Sequence, residues 1–145
     1  MLVTIKEKVK MLVAKYGTSS PFEIAEARKI LIFKHPLGNI LGYYTRHRRV
    51  QMIYLNSHVE DRHLQRFVCA HELGHATLHP EVNTPFLRRN TLFSVDKIER
   101  EANTFAVELL IPDDAVYRNE GCSTSREIST AYGVPPELIQ LKRIH

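Results

Sequence analysis

Two cysteines, Cys69 and Cys122, are too few in 145 residues for a disulfide scaffold. They fall in stretches that read as helix and loop respectively, and a reducing, cytoplasmic compartment fits this usage. No run approaches 18 consecutive apolar residues. The first sixteen positions interleave Lys6, Glu7, Lys8, Lys10 and Lys15 with their apolar residues, so neither a membrane span nor a secretory signal is expected. There is no internal repeat, low-complexity tract or linker, and no block of five like charges. Twenty Lys and Arg against 16 Asp and Glu give a net charge of +4, too mild to argue nucleic-acid binding by itself. The densest basic cluster, Arg46, His47, Arg48 and Arg49, reads as a solvated turn, because a phosphate footprint usually needs several such clusters on one face. What remains, 43% hydrophobic and 25% charged residues, is the makeup of one globular domain over 1–145.

Val3, Ile5, Val9, Leu12, Val13 and Tyr16 recur at helical spacing, and Gly17 follows at the position of a left-handed cap. Ser20, Pro21 and Glu23 then read as N-cap, first helical residue and capping-box partner of a short second helix through Ile30. β-favouring runs at Leu31 to Phe33, Ile40 to Thr45 and Val50 to Leu55 predict two or three antiparallel strands. The helical period returns from Asp61 to His79, where Pro80 stops it, and again from about Val95 to Ile111 before Pro112. Residues 81–94 read as a loop. The tail, about 113–145, carries short helices near Asp113 to Asn119 and Thr124 to Tyr132 and a last one from Pro136.

The chemistry is concentrated in His71-Glu72-Leu73-Gly74-His75. With this composition a chance H-E-x-x-H is expected only on the order of 0.04 times per chain, so the match asks for an explanation. Histidines four apart lie on one helical face about 6 Å apart and can converge on one zinc ion, while Glu72 points to a water on that metal. The competing explanation is two surface histidines on an amphipathic helix. A catalytic zinc needs a third protein ligand and an open fourth position. The extended pattern with a further glycine and histidine fails, because positions 78 and 81 are Leu78 and Glu81. His79 lies about 12 Å along the axis from His71, too far to share the ion, and reads as a helix-end residue or a partner behind the ligands.

The downstream helix offers Glu99 and Glu101. Ile98, Ala102, Phe105, Ala106, Leu109 and Leu110 define its apolar stripe; Glu99 falls about 50° from the stripe's centre and Glu101 about 110° away. A carboxylate on the core side is costly without a cation, which zinc on His71 and His75 would supply. An arginine such as Arg66 could supply it instead. Asn103, one turn after Glu99, is placed to accept a hydrogen bond from a ligand histidine's second ring nitrogen.

The run from Phe67 to His79, followed by Glu99 to Pro112, resembles the ImmA/IrrE family of zinc metallopeptidases. The order around it also fits: two N-terminal helices, a small sheet ending in Ile53-Tyr54-Leu55-Asn56, the two metal-site helices and a short helical tail. The resemblance covers nearly the whole chain. It implies an α+β, zincin-like fold with a small antiparallel sheet packed on helices, one zinc per chain held by His71, His75 and Glu99, and a catalytic Glu72. It further implies an endopeptidase that cleaves a helix-turn-helix repressor of a phage or mobile element, although other members belong to stress-response systems. Asn103 stands where many related zinc peptidases have aspartate.

In this reading Glu72 takes a proton from the attacking water and returns it to the leaving amine. Tyr43, Tyr44, His47 and Tyr132 are chemically suited to steady the tetrahedral intermediate, and no substrate-binding residue is singled out. Cys69 is turned about 200° from His71, which makes it a core residue. The alternative is a DNA-binding or protein-binding regulator with no proteolytic activity, since Ile128 to Ile139 resembles half of a helix-turn-helix. Against direct nucleic-acid binding, that segment's second helix begins Pro136-Glu137, an anionic end that phosphates would repel. A silent scaffold with a structural zinc would need a fourth ligand that the sequence does not offer. Val134, Leu138, Ile139 and Leu141 in the tail, and Arg46, Arg48 and Arg49, are candidate recognition surfaces unless the tail completes the core.

Overall fold

The computed structural model describes residues 2–117 and 124–142; Cys122 and the end of the stretch read as a helix to Asn119 lie outside them. Helix α1 (Ile5–Tyr16) opens on Thr4, whose side chain accepts from the Glu7 amide, and closes on Gly17 at φ +70°. Ser20 caps α2 (Pro21–Ala27) through the Glu23 amide. The Glu23 carboxylate accepts from the Thr18 hydroxyl instead of completing a capping box on Ser20. Strands β1 (Leu31–His35), β2 (Ile40–His47) and β3 (Val50–Asn56) follow. Asp61 then caps α3 (Arg62–Leu78), its carboxylate accepting from the His63 and Leu64 amides.

Residues 81–94 contain more than a loop: a two-residue strand β4 (Leu87–Arg88) and a single 3-10 turn (Arg89–Thr91). Helices α4 (Lys97–Leu110), α5 (Asp113–Tyr117) and α6 (Ser125–Tyr132) complete the described α-helical part. No helix of the described residues is long and apolar enough to cross a membrane.

The architecture is α+β, with a four-stranded sheet of order β1-β3-β2-β4. β2 and β3 form the expected antiparallel hairpin, turned at Arg48, which sits at φ +58°. The sheet is mixed, however, where an antiparallel one was expected: β1 runs parallel to β3, with Leu31 opposite Met52 and His35 opposite Asn56. The reason is topological. β3 inserts between β1 and β2, and a strand tied antiparallel to β2 by a tight hairpin must run with β1, because β1 and β2 point opposite ways. β4 extends the other edge by pairing Leu87 with Gly42 and Arg88 with Ile40.

Helix α3 packs on this sheet and on α4. Phe67, Leu73, Phe105, Ile53, Leu55, Ile24 and Ile111 are all fully buried between these layers. Burial of each such side chain contributes about 1.5–3 kcal/mol, which fixes α3 and α4 side by side. Their approach is close because position 74 is glycine: a Cβ there would lie 3.1 Å from the Phe105 Cβ and 3.2 Å from the Ala102 Cα.

The tail packs inward. Val134, Leu138 and Ile139 are buried in the same core and Leu141 packs against it, so these residues complete the core and are not an exposed recognition surface. Beyond α6 the chain turns at Gly133, at φ +71° where a Cβ would strike His63, into a six-residue 3-10 helix (Pro136–Leu141). That short, inward-facing element replaces the α-helix expected from Pro136. It leaves the half helix-turn-helix without a recognition helix to place in a groove.

Candidate active site

The period of α3 puts His71 and His75 on one face, with ring centroids 4.8 Å apart and the rings nearly perpendicular. Glu99, in the first turn of α4, reaches up between them. Its Oε1 lies 3.1 Å from His71 Nε2 and its Oε2 lies 3.2 Å from His75 Nε2. Glu72 lies beside them, and ligand-type atoms of His71, Glu72 and His75 all fall within 4.8 Å of one another. His71, Glu72, His75, Glu99 and Asn103 are each less than 5% exposed. The structure thus brings together all five residues singled out from the sequence, and the ion-pair partners of Glu99 among the described residues are the two histidines, not Arg66.

Asn103 decides which nitrogen of His71 faces Glu99. Its amide nitrogen donates to the Leu92 carbonyl at 2.7 Å, so its Oδ1 is turned to His71 Nδ1, also at 2.7 Å. Nδ1 therefore carries the hydrogen, and Nε2 points its lone pair at a carboxylate. Two acceptors 3.1 Å apart repel unless a cation or a proton sits between them. Burial lowers the His71 pKa, but the Glu99 hydrogen bond and the nearby Glu72 and Glu99 charges outweigh it and raise it, so this spot favours positive charge. The complementary effect falls on Glu99. Burial alone would raise its pKa, yet the contacts and charges of His71 and His75 hold it at about 2, so it is anionic at neutral pH. His75 is lowered, chiefly by burial.

The same spacing fits a metal ion. Zinc bonds of about 2.0–2.2 Å in tetrahedral geometry set ligand atoms about 3.3–3.5 Å apart. A single oxygen, Oε1 of Glu99, lies 3.1 Å from His71 Nε2 and 3.4 Å from His75 Nε2, close to that spacing. Both oxygens of Glu72 are buried without a hydrogen-bond partner, and Oε2 of Glu99 makes no hydrogen bond despite its 3.2 Å approach to His75 Nε2. Such atoms are rare unless a ligand or water meets them. Glu72 is also raised to about 8, by burial first, with His71 opposing and the Glu99 charge adding to it.

Behind the site lies an arrangement not foreseen in full. His79 caps the C-terminus of α3, and its ring Nδ1 lies 3.1 Å from His75 Nδ1. Its Nε2 is 2.8 Å from Glu101 Oε1. Glu101, set aside because it faces away from the apolar stripe of α4, thereby reaches the end of α3.

The suggested donors for the tetrahedral intermediate fall elsewhere. Tyr43 stacks on Tyr54 and meets Phe86 at a tilt, 4.7 Å from each, on the sheet face opposite α3. The Tyr44 hydroxyl donates to the Pro80 carbonyl at 2.6 Å and accepts from Gln51. His47 is exposed at the end of β2, and Tyr132 packs on the core from α6. Cys69 is fully buried in the core as expected, and burial raises its thiol far above the range in which it would ligate as a thiolate.

Residues 25–142 match the family described as the IrrE N-terminal-like domain, a peptidase family. The chain belongs to this ImmA/IrrE-type family. It is 35% identical over 137 residues to metallopeptidase ImmA of Bacillus subtilis (strain 168), covering 90% of this chain and 79% of that protein. It is 48% identical over 141 residues to immunity region protein 2 of Bacillus phage phi105, covering 95% of this chain and 88% of the relative. Membership makes the chain a metallopeptidase, a hydrolase of peptide bonds that works with a metal ion. It also displaces the reading of a regulator without proteolytic activity.

Proposed function

We propose that the protein is a zinc-dependent endopeptidase with one ion per chain, held by His71, His75 and Glu99, and with Glu72 as the catalytic base. The observation that carries this reading is the pair of imidazole nitrogens facing one buried carboxylate oxygen, Glu99 Oε1, at 3.1 and 3.4 Å. When bound, the ion supplies a Lewis acid for the scissile carbonyl and makes the attacking water more acidic. Glu72 has both oxygens buried and uncommitted beside His71 and His75, which leaves its carboxylate free to take a proton from that water. It then returns the proton to the leaving amine. Asn103 holds His71 in the tautomer whose Nε2 is free to ligate.

The substrate in this reading is a helix-turn-helix repressor of a phage or mobile element, cut in the cytoplasm. The similarity to a phage immunity region protein and to metallopeptidase ImmA supports a substrate of that kind. The test is to take a helix-turn-helix repressor encoded in the neighbourhood of this gene, once one is identified, and incubate it with the zinc-loaded protein. Specific cleavage is expected, abolished by a chelator and by Glu72→Gln. Hydrolysis of an unrelated unfolded protein with that repressor left intact would overturn the substrate, while no metal-dependent hydrolysis of either would overturn the catalytic assignment.

A further inference from the structure

The two histidines of the site are held by different devices. His71 is oriented by a neutral amide, Asn103. His75 has behind it a second ring and a carboxylate: His79 Nδ1 at 3.1 Å from His75 Nδ1, and Glu101 Oε1 at 2.8 Å from His79 Nε2. The placement of His79 is built into the helix, because its backbone N–H donates to the His75 carbonyl at 2.8 Å as the cap of α3. Its side chain is only 9% exposed.

We propose that His79 and Glu101 are positioning residues for His75, together fixing its ring and its tautomer so that Nε2 is presented to the metal. The argument is one of donors and acceptors, and it rests on the ligand assignment above. A neutral imidazole has one N–H and one lone pair. If His75 carried its hydrogen on Nε2, Nδ1 would have to accept from His79 Nδ1, leaving His79 Nε2 as a lone pair 2.8 Å from an anionic oxygen. In the opposite direction the chain behind the site is satisfied: His75 Nδ1 donates to His79 Nδ1 and His79 Nε2 donates to Glu101, and the His75 Nε2 lone pair is left facing Glu99, where a cation would be held. The Glu101 carboxylate thus selects the direction of the chain, and through His79 it lends negative character to His75, making it the better donor to a cation.

Zinc affinity, measured by competition with a chromogenic chelator, tests this without reference to activity, and the absorption spectrum of the cobalt-loaded protein reports the ligand field. Glu101→Ala should weaken zinc binding by about 10- to 100-fold and change the cobalt spectrum. Glu101→Gln retains an acceptor oxygen and should recover most of the affinity. The unfolding midpoint of metal-free Glu101→Ala should stay near wild type, since that side chain is 35% exposed. His79→Ala should reproduce the loss of affinity. If wild type binds zinc and both alanine variants bind it equally well with unchanged spectra, the positioning role is overturned and the ligand assignment stands. If wild type binds no zinc, the ligand assignment falls and takes the positioning role with it.

Discussion

Gly74 and Ala102 meet backbone to backbone: a Cβ at Gly74 would lie 3.2 Å from both the Cα and the carbonyl oxygen of Ala102. This contact brings the helix that carries His71 and His75 close enough to the helix that carries Glu99 for the carboxylate to touch both rings. Added bulk at position 74 must push the helices apart, at a cost of about 1–3 kcal/mol for overpacking. Gly74→Ala should lower the chemical-unfolding midpoint and weaken metal binding together, and Gly74→Val should do both more strongly. Unchanged metal affinity in Gly74→Val would show that the site does not depend on this approach.

Ligation and proton transfer separate at neighbouring positions. Glu72→Gln should keep a full equivalent of zinc by elemental analysis while losing proteolysis by several orders of magnitude, since on our reading its carboxylate handles a proton and not the metal. Glu99→Gln should lose the metal and the activity together. Loss of zinc from Glu72→Gln would make Glu72 a ligand and require a different base.

The placement of Glu99 was legible because a helix converts spacing into direction: a glutamate 50° from an apolar stripe must face the neighbouring helix, and α3 is that neighbour. The same angle hid Glu101. At 110° it reads as a solvated residue, and only the end of α3 passing there turns it into the partner of His79. The direction of β1 was hidden for another reason. Alternation along Leu31 to Phe33 describes a strand's faces but not its neighbours, and the insertion of β3 between β1 and β2 is a long-range event. β4 is two residues long, too short for any period to show.

The basic turn remains available as a steering surface. Arg46 is engaged, its Nε donating to the Arg48 carbonyl and its guanidinium 3.4 Å from Glu81, whereas Arg48 and Arg49 are exposed at the tip of the β2–β3 hairpin. If they attract an acidic face of the substrate, Arg48→Glu with Arg49→Glu should slow cleavage of the repressor several-fold at low salt. At high salt, where charges more than a few ångströms apart are screened, the rate should approach wild type. A rate unchanged at both salt concentrations would remove the turn from substrate recognition.

Lys142 is the anchor by which the tail is fastened to the metal-site helix. Its ammonium lies 2.8 Å from Glu108 of α4 and 2.5 Å from Asp113 of α5, and the side chains of Lys142 and Glu108 are 3% and 1% exposed. Replacing one member of a buried pair is far more costly than removing both, so Lys142→Met should destabilise the fold by about 3–5 kcal/mol, and Lys142→Met with Glu108→Met by less. Asp113 adds a pH dependence. The Lys142 hydrogen bond, with Lys6 assisting against burial, holds its carboxyl well below the usual range. A depressed pKa in the folded state contributes stability that is fully present above the unfolded value of about 3.9 and is lost as pH falls through the folded value. Acid unfolding of wild type should therefore steepen below about pH 4. Asp113→Asn should be less stable at pH 7 and show a flatter acid limb. Parallel acid limbs for the two proteins, followed by circular dichroism, would mean that the contacts of Asp113 with Lys142 and Lys6 contribute nothing to holding the tail in place.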